Sequence, residues 1–249
     1  MSNTIATLLW TGGWDSTYRL LNLLMVQHKV VQPYYVIDAT RYSVGAEIRA
    51  RDKIKKSIFA LKPETEELLL PTVYHELTDI LPRPDLSKKY WNLRKKYFMG
   101  EQYEWLARFT EQFNLRDLEM AIHLDDKVHS VLESNVEPVS ENDGDSYRLK
   151  DGMDNDDYAI FKNFKFPLFN WTKLEMERDA DARGFGHIME ETWFCHQPHK
   201  KDTPCGICAP CSYTIEEGMK RRIPAQGRIK YYFKKIESKL LSILNMQKQ

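Results

Sequence analysis

The chain has 249 residues, and its 36 basic and 36 acidic side chains balance to a net charge of zero, with 42% hydrophobic residues and a mean hydropathy of −0.56. That length suits one large α/β domain with an appendage, and overall neutrality argues against a protein that coats nucleic acid by bulk charge. No run reaches the roughly 18 apolar residues of a membrane span, and residues 1–4 lack the charged-then-apolar opening of a secretory signal, so a soluble, cytoplasmic protein is expected.

Residues 5–10 are a short apolar run that stops at Thr11-Gly12-Gly13, after which residues 16–27 carry leucines at helical spacing. Strand, glycine turn and helix are expected in that order. Residues 34–37 form a second strand ending at Asp38, and residues 46–60 a charged amphipathic helix. A third strand is expected over 68–73, a helix over 102–113, and a fourth strand over 118–124 leading into a helical 127–132. Alternating β and α units predict an α/β fold: a Rossmann-like parallel sheet with helices on both faces.

Residues 137–158 break this pattern, with eight acids (Glu137, Glu141, Asp143, Asp145, Asp151, Asp154, Asp156, Asp157) against Arg148 and Lys150, and read as a solvated loop. Beyond residues 160–166, Thr172-Lys173-Leu174-Glu175 has the Ser/Thr-x-x-Glu form in which two side chains cap each other's backbone N–H groups. A helix is expected from there to Gly184, since glycine tolerates the left-handed conformation that closes helices. Residues 200–239 hold ten basic and four acidic side chains, a net charge of +6.

The most informative local feature is Thr11-Gly12-Gly13-Trp14-Asp15-Ser16, between the first strand and first helix. Two glycines let the backbone approach an anion, and a helix N-terminus favours phosphate. Thr11, Ser16 and Thr17 add hydroxyls. The loop lacks the lysine of a Walker motif and the Gly-x-Gly-x-x-Gly of dinucleotide folds. The competing reading is a plain strand-to-helix turn.

All four cysteines fall within seventeen residues, as Cys195, Cys205, Cys208 and Cys211. In a cytosolic chain such spacing indicates metal ligands rather than disulfides. Four thiolates suit tetrahedral Zn²⁺, and spacing alone admits an iron–sulfur cluster. His196 and His199, lying between the cysteines, are competing ligands.

The loop resembles the Ser-Gly-Gly-x-Asp-Ser pyrophosphate loop of the N-type ATP pyrophosphatases, with threonine in place of the first serine. The succession Phe166-Pro167-Leu168, Trp171-Thr172-Lys173-Leu174-Glu175, Glu191-Thr192-Trp193-Phe194-Cys195 and Pro204-Cys205-Gly206-Ile207-Cys208-Ala209-Pro210-Cys211 resembles the C-terminal half of 7-cyano-7-deazaguanine synthases. Asp38, Arg41 and Glu47 also loosely resemble that family. The resemblance runs with gaps over residues 5–224. It implies a nucleotide-binding domain over 1–190, carrying the acidic insert, and a zinc-binding helical subdomain over 191–249.

It further implies ATP-dependent adenylation of a 7-deazaguanine-type carboxylate, displacement of AMP by ammonia and dehydration of the amide to a nitrile, with ATP, Mg²⁺ and Zn²⁺ as cofactors. Thr11, Gly12, Gly13, Asp15, Ser16, Thr17 and Arg41 would hold the nucleotide, Asp15 its Mg²⁺, and Lys173 the phosphate or acyl-adenylate charge, while the four cysteines hold Zn²⁺. Asp15, Ser16 and Lys173 are the expected catalytic residues.

The middle of the chain departs from the family. Gly100-Glu101-Gln102 stands where the family has Gly-Arg-Asn, Ile122-His123-Leu124-Asp125-Asp126 where it has Gly-x-Asn-x-x-Asp, and His196 replaces the tyrosine after the first zinc cysteine. These differences motivate a second reading, in which the activated acyl group passes to an amine on a protein partner, as in divergent relatives associated with anti-phage defence. A third is a non-catalytic zinc ribbon whose basic C-terminal helix binds nucleic acid. On the leading reading neither membrane nor nucleic acid is a partner, and Tyr231, Tyr232, Phe233, Ile236, Leu240, Leu241 and Leu244 suggest a helix packed on the domain or across a homodimer interface.

Overall fold

The computed structural model describes residues 5–141 and 144–246. Asp143, and the side chains of Glu141, Asp145, Leu241 and Leu244, lie outside the described residues. Strand β1 (Ala6–Leu9) runs through the glycine loop into α1 (Trp14–Leu21), which continues as a π-helical turn over Asn22–Val26. Strand β2 (Val31–Ile37) is followed by α2 (Val44–Leu61), and β3 (Val73–Glu76) by α3 (Pro84–Lys96) and α4 (Gln102–Gln112). The chain then forms β4 (Leu118–Glu119), α5 (His129–Leu132), a hairpin of β5 (Val136–Glu141) and β6 (Gly144–Leu149), and β7 (Phe164–Phe166). Helices α6 (Lys173–Ala182), α7 (Gly186–Met189), α8 (Ala209–Glu216) and α9 (Ala225–Met246) complete it.

One sheet takes the order β3-β2-β1-β4-β7-β6-β5. Strands β3, β2, β1, β4 and β7 are parallel, while β6 runs antiparallel to both β7 and β5. Successive β1 residues serve opposite faces, as the two-residue strand period requires. Leu8 and Trp10 join a core with residues of α1, α2, α6 and α7, whereas Leu9 joins a second core with residues of α3 and α4. Helices therefore cover both faces, as the alternating pattern predicted. β1 has β2 on one side and β4 on the other, so the sheet's direction of growth reverses beside it; a crevice at that point is the usual binding place in such folds.

Four local expectations change. Among its described residues the acidic stretch is a loop only over 150–155: before it β5 and β6 extend the sheet, because Val136, Tyr147 and Leu149 face the core while Glu137 and Arg148 pair across the hairpin at 3.0 Å. The third strand lies at Val73–Glu76, five residues beyond the expected start, since Leu69 makes only an isolated bridge to Val31. The fourth strand keeps only Leu118–Glu119: after the Met120 N–H donates to the Lys165 carbonyl, the chain turns and Leu124 N–H donates to Trp171. Helix α3 was not anticipated, because its lysines hide the buried stripe Leu86, Tyr90 and Leu93.

Two expectations hold as stated. Thr172 and Glu175 form the reciprocal capping box of α6, and Gly184 follows that helix at φ +82°. A separate small core gathers Cys195, Cys205, Cys211, Ile215, Ile223 and Tyr231.

Candidate active site and metal centre

The glycine loop leaves the carboxyl end of β1 at the reversal point. Gly12 sits at φ +79°, and a Cβ there would lie 2.6 Å from Arg51 Cγ, so both backbone angle and space require glycine. Arg51 is almost wholly buried, with its guanidinium 4.5 Å from the ring centres of both Trp10 and Tyr35. Thr11 Oγ1 accepts from the Gly13 N–H at 3.3 Å and lies 3.1 Å from Ser16 Oγ, which fixes the loop's curvature. Gly13 caps α1 without a side-chain hydrogen bond, so the helix start keeps the uncapped amides and favourable dipole that suit an anion.

The predicted loop residues do not all face one way. Thr17 is fully buried, and its Oγ1 accepts from the Trp10 indole at 3.1 Å beneath the loop. Arg41 donates to Glu47 at 2.6 Å, on the β2 side, and does not line the cleft described next. Glu47 is a buried hub: Tyr35 and Ser43 hydroxyls each also donate to it at 2.6 Å.

A cleft of about 250 Å³ lies across the reversal point, and Asp15, Gln102, His123, Asp126 and Lys173 are among its walls. Larger hollows of 370 and 310 Å³ lie beside the β6 end and beside α2, and neither contains Asp15. Asp15 Oδ1 is buried without a hydrogen-bond partner, and His123 Nε2 lies 3.6 Å from it. His123 Nδ1 accepts the Asp125 N–H at 3.2 Å, so the neutral ring carries its proton on Nε2, toward Asp15. Asp125 in turn accepts the Lys173 N–H at 3.1 Å, joining the segment after β4 to the start of α6.

Lys173 Nζ donates to Glu217 at 2.8 Å. Burial alone would push this ammonium down, but Asp15, Glu217 and Asp126 more than reverse that and hold it above the ordinary lysine value. It is a permanent cation at physiological pH. Beneath the cleft, Arg19 grips Glu119 with two bonds of 2.6 and 2.7 Å, locking α1 to β4.

The four cysteine sulfurs meet as the spacing predicted. All lie within 4.8 Å of one another, with Cys205–Cys211 and Cys195–Cys208 at 3.9 Å. Four metal–sulfur bonds of about 2.3 Å in a tetrahedron separate the sulfurs by about 3.8 Å. A tetrahedron with 4.8 Å edges has its corners about 2.9 Å from the centre, room for one ion and not for a four-iron cube. Backbone N–H groups of Cys205, Ile207 and Cys208 point at the sulfurs, which favours thiolates. Neither His196 nor His199 belongs to this group among the described residues. Gly206, at φ +81°, has no Cβ to strike the Gly227 carbonyl, so the root of α9 packs directly on the knuckle.

His123, Asp125 and Gln102 stand at the positions where the sequence departs from the resembled family. Tyr213 and Glu217 carried no sequence signal, since only folding brings α8 and the residue after it to the cleft, where Lys127 arrives from the segment before α5.

No family model and no curated protein matches the chain. Among solved structures, it is similar to the U34-tRNA thiolase NcsA from Methanococcus maripaludis with its [4Fe-4S] cluster, at 14% identity and a TM-score of 0.44, covering 93% of this chain and 71% of that one.

Proposed function

We propose that the chain is an AMP-forming enzyme that uses ATP to activate a 7-deazaguanine-type carboxylate, in the manner of the 7-cyano-7-deazaguanine synthases its motifs resemble. One observation carries the reading: an unpartnered carboxylate oxygen of Asp15 and the half-buried ammonium of Lys173 line one cleft beside the start of α1.

A carboxylate is a poor electrophile, and adenylation gives its oxygen a good leaving group. The substrate oxygen attacks the α-phosphorus, the bond to the bridging oxygen breaks, and pyrophosphate departs toward the amides after Gly13. Asp15 Oδ1 is a fitting hard ligand for Mg²⁺, whose charge would offset that of the phosphates. Lys173 supplies a fixed positive charge to the acyl phosphate, and Asp125 holds its backbone in place. Ammonia then displaces AMP to form the amide, and a second adenylation of the amide oxygen lets that oxygen leave as AMP, giving the nitrile. The four thiolates, with no open position, suit a structural Zn²⁺.

A second reading shares the adenylation and sends the acyl group to a protein amine. Gln102 and His123 favour it, because they line the cleft at positions where the nitrile-forming family carries other residues. Incubation of the purified protein with ATP, Mg²⁺ and 7-carboxy-7-deazaguanine, with and without ammonia, tests both readings. AMP, pyrophosphate and a 7-cyano product support the first; AMP formation with an ATP-dependent mass gain on a protein supports the second. Absence of deazaguanine-dependent AMP in every arm refutes the proposal.

A further inference from the structure

Helix α9 has two unlike faces. Gly227, Tyr231, Lys234 and Lys235 fasten it to the body: Gly227 packs on Gly206, Tyr231 is buried and donates to Glu216 at 2.7 Å, Lys234 donates to the Ile207 carbonyl, and Lys235 reaches Glu216. The opposite face carries Ile229, Phe233, Ile236 and Leu240, which are 55, 69, 57 and 57% exposed. Their steps of four, three and four residues are those of a coiled-coil seam, not of a single buried stripe. From Tyr232 to Leu240 every residue is exposed, so this half of the helix lies at the surface, with Lys234 and Lys235 reaching from its inner face to the body. A single helix of this length is marginal in water, and a large apolar stripe on it calls for a partner.

We infer that the partner is a second copy of this chain, paired antiparallel along the seam. The flanking charges select both the occupant and the direction. With Phe233 and Leu240 in the first core position of the heptad and Ile229 and Ile236 in the second, Lys230 and Glu237 occupy the same flanking position one heptad apart. Antiparallel self-pairing sets Phe233 against Ile236 of the other copy and Ile229 against its Leu240. It also sets Lys230 against Glu237 of the other copy, twice by the two-fold axis. A parallel pair would set Glu237 against Tyr232 and make no such ion pair. Helix direction is thus written in one lysine and one glutamate, while the apolar seam supplies the attraction.

Sedimentation velocity and light scattering across a micromolar concentration series, on the metal-loaded full chain, test this. The expected result is a reversible dimer that Phe233→Glu converts to monomer at every concentration, with circular dichroism and metal content confirming an intact fold. Lys230→Glu is expected to shift the dimerisation midpoint to at least tenfold higher concentration, and Lys230→Glu with Glu237→Lys to restore it. A wild-type chain that stays monomeric throughout, or a dimer indifferent to Phe233→Glu, overturns the inference. A charge reversal that the double variant does not rescue overturns the antiparallel arrangement.

Discussion

The backbone N–H of Trp193 donates to the carbonyl of Gly12 across 2.9 Å, so the chain entering the cysteine knuckle is bonded to the glycine loop itself. Arg222 reinforces the junction: its guanidinium lies 4.9 Å from the rings of both Trp14, on the loop, and Phe194, beside Cys195. It also donates to the Thr192 carbonyl and hydroxyl at 2.6 and 2.7 Å. Burial pushes this guanidinium down to about 10, which still leaves it charged at neutral pH. Metal centre and loop therefore share one set of contacts.

Stripping the metal with a chelator, or Cys208→Ser, is expected to loosen the knuckle and the loop together. ATP binding should weaken by about 5- to 150-fold, the usual range for coupled sites, with a fall in melting temperature. Calorimetric titration of loaded and stripped protein measures it, and equal affinities would show the two sites to be independent.

Arg222→Met keeps the stem and removes the charge between the rings. Metal content should stay at one equivalent per chain while ATP affinity falls roughly tenfold, about 1.4 kcal/mol. Metal analysis beside the same titration separates this from loss of the knuckle.

Gly12→Ala meets two obstacles, a φ of +79° and Arg51 Cγ at 2.6 Å from the new Cβ. The strained backbone alone costs about 1–3 kcal/mol. Denaturant unfolding should show a lower midpoint with an unchanged slope, whereas Gly13→Ala, with φ at −76° and its nearest contact at 3.2 Å, should be milder.

Lys173 has a folded pKa raised above its unfolded value, so its stabilising contribution is complete below the ordinary lysine range and is lost as pH climbs through the higher folded value. Between pH 6 and 9 the rate of AMP formation should show no limb from this group. Lys173→Met should lower that rate on the order of a hundredfold, as for loss of one charge-stabilising donor. A loss of substrate affinity without loss of rate would assign Lys173 to binding alone.

Glu119→Gln leaves a buried arginine facing a neutral group and should cost about 3–5 kcal/mol, whereas replacing Arg19 and Glu119 together by apolar residues should recover much of it. Chemical denaturation of the single and double variants measures the difference.

The loop, the capping box and the cysteine knuckle were legible in the sequence because each is a local arrangement. Thr11 reaches Ser16, Thr172 reaches Glu175, and Cys205, Cys208 and Cys211 lie three residues apart in turn, so neighbours along the chain are neighbours in space. The hairpin of β5 and β6 escaped because acids on its outer face masked the two-residue alternation of Val136, Tyr147 and Leu149.

The cleft was decided only by the tertiary structure. Asp15 and His123 come from segments after β1 and β4, and they meet because those strands pair at Leu8 and Glu119. Lys173 faces Asp15 because α6 begins beyond β7, and Glu217 reaches Lys173 because α8 is anchored on the knuckle. The sequence alone determined which groups could do chemistry, since residue type and local spacing fix donors, charges and ligands. Only the packed sheet decided which of them share one cleft, because the strand order that joins them is a property of long-range burial and leaves no periodic mark on the chain.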